Sequence, residues 1–218
     1  MILKLENLNK NFNEKNSLFS GFNLEIDSPS IVELSGKNGV GKTTLLSILG
    51  GICSFSGTIL YDEINLKNNY DSYMQKSIFI SNSPFMYDYL TVKEMIDFIN
   101  DLAIPSIEWR KELSILFEDL SLKRYENVFI KDLSLGTAQK VSIIVSMLNQ
   151  PSLILLDEPF VNIDKESVKV LKDFFKTYIF SHNAILIYAS HDSAIANNFA
   201  NKFIHLLERD GHTFVENK

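Results

Sequence analysis

The chain has 218 residues, of which 45% are hydrophobic and 22% charged, enough apolar material for a sizeable core and too much for a disordered chain. Its net charge of -6 has the wrong sign for a protein held on nucleic acid by phosphate neutralisation, so no nucleic-acid partner is expected. A single cysteine, Cys53, excludes an intrachain disulfide and a cysteine-based zinc site and fits a reducing, cytoplasmic setting.

Met1 to Lys10 alternate apolar with polar side chains and lack the apolar stretch of roughly 7–15 residues that a signal peptide needs. Strand-like alternation runs through the first thirty residues and returns from Gly57 to Tyr61, which predicts a small antiparallel sheet. Ile31 to Leu34 is the first of four short apolar runs; Ile78 to Ile80, Leu153 to Leu156 and Ile185 to Tyr188 are the others. Such runs read as strands buried on both faces, as in a parallel sheet. All of them fall far below the roughly 18 residues that cross a bilayer as a helix, so any membrane role is expected to be peripheral.

Directly after the first run stands Gly36-Lys37-Asn38-Gly39-Val40-Gly41-Lys42-Thr43, followed by Thr44 and the helical run to Leu49. A strand, a glycine-rich turn ending in Lys-Thr, and a helix form a phosphate-binding loop. The glycines let backbone N–H groups turn inward around phosphates, and the helix N-terminus adds positive potential. Lys42 is positioned to reach the terminal phosphates, and the Thr43 hydroxyl to ligate Mg²⁺.

Residues 83–131 read as a helical insertion. Thr91 and Glu94 form a capping-box pattern ahead of Met95, Ile96, Ile99 and Leu102, and Trp109, Leu113, Leu116, Phe117 and Leu120 continue at helical spacing. A helix is expected from Ala138 to Leu148, and another from Lys165 to Phe180 with Asp164 as its N-cap. Between these two helices the run Leu153-Ile154-Leu155-Leu156 ends in Asp157-Glu158-Pro159, so two acids emerge at the carboxyl edge of a buried strand, where parallel sheets bind ligands. Asp157 suits Mg²⁺, and Glu158 suits polarising the water that attacks a γ-phosphate.

Together these motifs resemble the ATP-binding cassette family over essentially the full length. The resemblance implies an α/β fold: a P-loop NTPase core with a mainly parallel sheet (1–82 and 132–218), a small N-terminal antiparallel β subdomain, and an inserted α-helical subdomain over about 83–131. Leu133-Ser134-Leu135-Gly136-Thr137 occupies the place of the family's LSGGQ signature, from which Leu135 and Thr137 depart. In the family this segment acts across a head-to-tail ATP sandwich, on the nucleotide of a second subunit. Asp164 matches the loop that crosses that interface and equally a helix cap. His191 looks like the switch histidine that senses the γ-phosphate. Phe12 matches the aromatic that stacks on adenine, with a core position as its competitor. Asn82 stands where the family has a glutamine reaching Mg²⁺ and the attacking water.

The implied activity is ATP hydrolysis, with ATP and Mg²⁺ as ligands. The chain would form a homodimer or heterodimer with a second cassette and serve a separate transmembrane permease at the cytoplasmic face of the membrane. Phe85, Met86, Tyr87 and Tyr89 either receive that permease or pack the helical insertion. The form of the signature resembles small exporters of peptides, antibiotics or lipids. The alternative is a membrane-associated ATPase acting as a regulatory or mechanical module without transport.

Overall fold

A computed structural model of the chain describes residues 1–13, 16–83, 85–190, 199–209 and 212–217; residues 12, 13, 16, 209, 212 and 214–217 are described by their backbone alone. The alternating N-terminal third forms β1 (Ile2–Asn13), β2 (Asn16–Asp27), β4 (Ser56–Tyr61) and β5 (Ile64–Asn65), all paired antiparallel. The apolar runs form β3 (Ser30–Gly36), β6 (Ser77–Ile80), β7 (Leu153–Asp157) and β8 (Ile185–Ala189), which are parallel to one another. β9 (Lys202–Arg209) lies parallel to β3, and β10 (His212–Asn217) turns back against it.

Among the described residues these strands make one ten-stranded sheet in the order β5-β4-β1-β2-β10-β9-β3-β8-β7-β6. The expected small antiparallel sheet is therefore the wing of a single sheet. It is joined to the parallel part where β10 meets β2 at the pair Thr213 and Phe19.

Alternation along the central strands divides the core in two. Ile154, Leu156, Leu186 and Tyr188 point to one face, under α3 (Val92–Ala103), α4 (Ile107–Asp119), α5 (Leu135–Met147) and α6 (Lys165–His182). Leu153, Leu155, Ile185 and Ile187 point to the other, beneath α1 (Lys42–Leu49), α2 (Tyr70–Lys76) and the antiparallel wing. Each such fully buried aliphatic side chain stabilises the fold by about 1.5–3 kcal/mol.

The capping box at Thr91 is formed: its hydroxyl accepts from the Glu94 N–H at 3.2 Å, and its own N–H donates to the Glu94 carboxylate at 2.8 Å. The helical pattern then breaks, because Pro105 cannot donate and excludes the residue before it from the helical region. Ile104 ends α3 in the left-handed C-cap conformation at φ 47°, and Ser106 caps a new helix, α4. α5 begins three residues earlier than its apolar pattern suggested, since the Ser134 hydroxyl accepts from the Thr137 N–H at 3.3 Å and brings Leu135 into the first turn. Among the described residues no helix is long and apolar enough to cross a membrane.

Candidate functional site

Strand register brings the chemistry-bearing residues to one edge. Leu34 pairs with Ala189, Asp157 also pairs with Ala189, and Ile80 pairs with Leu156, so β3, β6, β7 and β8 end level with one another. The segments that leave there are the phosphate loop, the Asn82 segment and the Asp157-Glu158 pair.

Within the loop, Gly36, Gly39 and Gly41 have φ of 145°, 81° and 107°, values that side chains with a Cβ rarely adopt. Gly36 also lies against the Leu206 carbonyl, whereas the Cα of Gly39 faces open space. Val40 is buried and anchors the loop from beneath, its carbonyl accepting the Thr213 hydroxyl at 2.7 Å. Lys37 and Asn38 are exposed at the rim. Lys42, only 5% exposed, donates from Nζ to the carbonyls of Gly36 at 2.7 Å and Lys37 at 3.1 Å, so its ammonium sits at the centre of the loop. Burial pushes this ammonium's pKa down, and the carboxylates of Glu158 and Asp157 oppose that shift. A cavity of about 260 Å³ opens here, lined by Leu18, Asn38, Gly39, Gly41, Lys42, Thr43 and Thr44.

The Thr43 hydroxyl donates to Asp157 Oδ1 at 3.1 Å, tying the first turn of α1 to the end of β7. Asp157 is buried at 4% exposure. Its neighbour Glu158 is half-buried and has φ 51°, an unusual conformation for a residue with a side chain, and its N–H donates to the Ala189 carbonyl at 3.1 Å. The arrangement offers a cation for phosphate oxygens, a hydroxyl and carboxylate for a hard metal ion, and a second carboxylate beside them.

Ser134 caps α5, and its hydroxyl lies 2.9 Å from that of Thr137, which is buried. Leu135 is 68% exposed at the same helix start. Gly136 abuts the carbonyl of Asn162, so the Ser134–Thr137 turn and the segment leading to Asp164 are packed together. Asp164 caps α6, accepting from the Ser167 N–H and hydroxyl, both at 2.8 Å, and from Lys140 Nζ at 3.3 Å.

His191 and the side chain of Phe12 lie outside the described residues. Asn82 is exposed just beyond β6, and no described hydrogen bond joins it to Thr43 or Asp157. Leu18, Gln139 and Lys140 went unrecognised in the sequence. Leu18 lines the loop cavity from β2, and Gln139 donates from Nε2 to the Ser81 carbonyl at 3.3 Å, next to Asn82. Lys140 could have been suspected from its place four residues after Gly136, on the same helical face.

A sequence profile described as ABC transporter matches residues 19–161. An ATP-binding protein of Staphylococcus aureus (strain Newman) named for hemin import, HrtA, is 31% identical over 215 residues, covering 94% of this chain and 97% of its own length. A solved ATP-binding subunit of an ABC transporter superposes with a TM-score of 0.87 at 22% identity, covering 100% of this chain and 90% of its own. A dimeric ATP-binding cassette, solved in a post-hydrolysis state with ADP and Pi bound, superposes with a TM-score of 0.80 at 23% identity, covering 99% and 98%. With a profile over most of its length, a relative over nearly all of it and the fold of the cassettes, this chain belongs to the ABC transporter family as an ATP-hydrolysing subunit.

Proposed function

We propose that the chain converts ATP hydrolysis into motion of a separate membrane-spanning permease by closing and opening an ATP sandwich with a second cassette. The observation that carries the reading is the Thr43–Asp157 hydrogen bond, which brings the phosphate loop to the carboxylate strand with Glu158 beside it. The N–H groups of Gly39 to Thr44 and the Lys42 ammonium hold the phosphates. Glu158 orients and polarises the attacking water, and Asn82 and His191 contact the water and the γ-phosphate. Phe12 stacks on the base, Leu18 closes the side of the phosphate-loop cavity, and Ser134 to Thr137 complete the partner's site. Thr43 Oγ1 and Asp157 Oδ1 are two hard oxygen donors 3.1 Å apart, a pairing that suits Mg²⁺. When bound, the ion neutralises phosphate charge.

Residues 83–131 act as the subdomain that meets the permease at the cytoplasmic face. Phe85, Tyr87 and Tyr89 are exposed there, Phe85 by 88% and Tyr89 by 78%, and Tyr87 packs edge-to-face on Phe98. For direction, the Leu133–Thr137 form of the signature supports export of a peptide, antibiotic or lipid-like compound. The relatives named for hemin import support a second reading, inward movement of a hemin-like cargo. Loss of the chain in its host raises sensitivity to the exported compound under the first, and abolishes growth on hemin iron under the second.

The test of the engine is Glu158→Gln. Turnover is expected to fall by about a hundredfold or more while ATP binding is kept. ATP then traps a dimer seen by size exclusion. A monomer at saturating ATP, alone and with a partner cassette, would overturn the sandwich.

A further inference from the structure

Lys140 is a buried lysine that plays no part in the chemistry described so far. Its side chain is 9% exposed, yet the ammonium's three donors all have acceptors: the Leu120 carbonyl at 3.3 Å, Asp164 Oδ2 at 3.3 Å and the Ser167 hydroxyl at 3.2 Å. These acceptors belong to three places in the fold, the C-terminal end of α4, the cap of α6 and the first turn of α6. A buried ammonium is unfavourable without such partners, and an apolar side chain of similar length would fill the same space at less cost. Stability alone is therefore a poor reason for a lysine here.

What the lysine holds is the turn from Val161 to Asp164. That turn rests on α5 at both ends: the Asn162 carbonyl lies against Gly136, and the Asp164 carboxylate is bonded to Lys140. Gly136 and Lys140 are four residues apart, on one face of the helix. Asn162 is held at φ 67°, and the Asp164 carboxylate is fixed by three donors, from the Ser167 backbone, the Ser167 hydroxyl and Lys140. The partner carboxylate is itself 58% exposed, so the buried lysine reaches the surface of the molecule through Asp164.

We propose that Lys140 is a positioning residue that locks the Val161–Asp164 turn to the Ser134–Thr137 turn, so that the two move as one body with the end of α4. This rests on the reading that both turns work at the boundary with a second cassette. Lys140 then acts on turnover through the paired site, with no effect on nucleotide held by its own phosphate loop.

The experiment compares the full chain with Lys140→Met, Lys140→Arg, Asp164→Asn and the Met/Asn double variant. Lys140→Met is expected to lower kcat for ATP about tenfold, with KM and ADP affinity within about threefold of the parent, and Lys140→Arg to recover most of the loss. In the Asp164→Asn background the same change is expected to cost less than about threefold, because the pair is already broken. Multiplicative losses, or KM and ADP affinity moving with kcat, would overturn the proposal. If Lys140→Met does not fold, Asp164→Asn decides: a kcat loss at constant ADP affinity supports the lock, and an unchanged kcat sinks it.

Failure of the sandwich reading looks different, because Glu158→Gln then shows no ATP-dependent dimer at all. Hydrogen exchange decides in that case. Faster exchange in Lys140→Met at both 134–138 and 161–167, with 36–44 unchanged, supports the lock, and unchanged exchange at either turn overturns it.

Discussion

A side chain at position 136 has nowhere to go, because the Asn162 carbonyl already occupies the space where a Cβ would stand. Gly136→Ala must push the 161–164 turn away from α5, and backbone gives less readily than a flexible side-chain end. The expected loss is about 1–3 kcal/mol of stability, read as a lower urea midpoint, with reduced turnover at unchanged ADP affinity. Equal stability of the two proteins would show that the turn yields freely. The phosphate loop was legible at this scale because its residues are contiguous and each has a task set by its type. Lys140 was legible only as a neighbour of Gly136 on one helical face, since its partner Asp164 is 24 residues away and only the fold brings them together. The positive φ of Glu158 was equally hidden, being imposed by the sharp exit from β7 and the N–H bond to Ala189.

Among the elements, α6 illustrates how a cap carries charge as well as geometry. The Ser167 N–H and hydroxyl, with Lys140 behind them, hold the Asp164 carboxyl down at about 2. A carboxyl depressed on folding adds stability that is complete above its ordinary value of about 3.9 and is lost as pH falls through its folded value. Asp164→Asn keeps a capping oxygen and removes the charge. The variant is therefore expected to be less stable than the parent near neutrality, the gap closing as pH drops from about 5 to about 2. Urea midpoints measured across that range check it, and a gap that is constant with pH would show that the charge adds nothing.

Helix caps at Thr91 and Asp164 could be read from sequence because each needs only the next three residues. The helix α2 could not: Tyr70–Lys76 is short, and Tyr73 alone of its residues is buried, so no periodicity announces it. The break at Ile104 was visible only as Pro105, whose effect on the preceding residue outweighed the continuing apolar pattern.

For the whole molecule, the exposed aromatic group is the clearest surface feature. Phe85 and Tyr87 meet edge-to-face, as do Tyr87 and Phe98, and Lys131 lies over the Tyr89 ring at 4.8 Å. Tyr89 is exposed and lines no part of the cavity at the phosphate loop, so Tyr89→Ser is expected to leave the ATPase rate of the isolated chain unchanged. Its stimulation by the permease is expected to fall about threefold to tenfold, as for loss of an interface aromatic. Stimulated turnover in proteoliposomes checks this, and full stimulation would assign the aromatics to packing alone. The fold class was legible because four buried runs separated by helical patterns leave few alternatives to a parallel core. The union of both wings into one sheet was not, because it depends on β10, whose short segment carries no strong pattern.

That union gives the molecule a fault line. The two wings of the sheet are stitched at Thr213 and Phe19, and the Thr213 hydroxyl is also the tether of Val40 beneath the nucleotide loop. A shear of one wing against the other would reach the buried anchor of the Gly36–Thr43 loop through this threonine. The frame and the loop thus share one threonine.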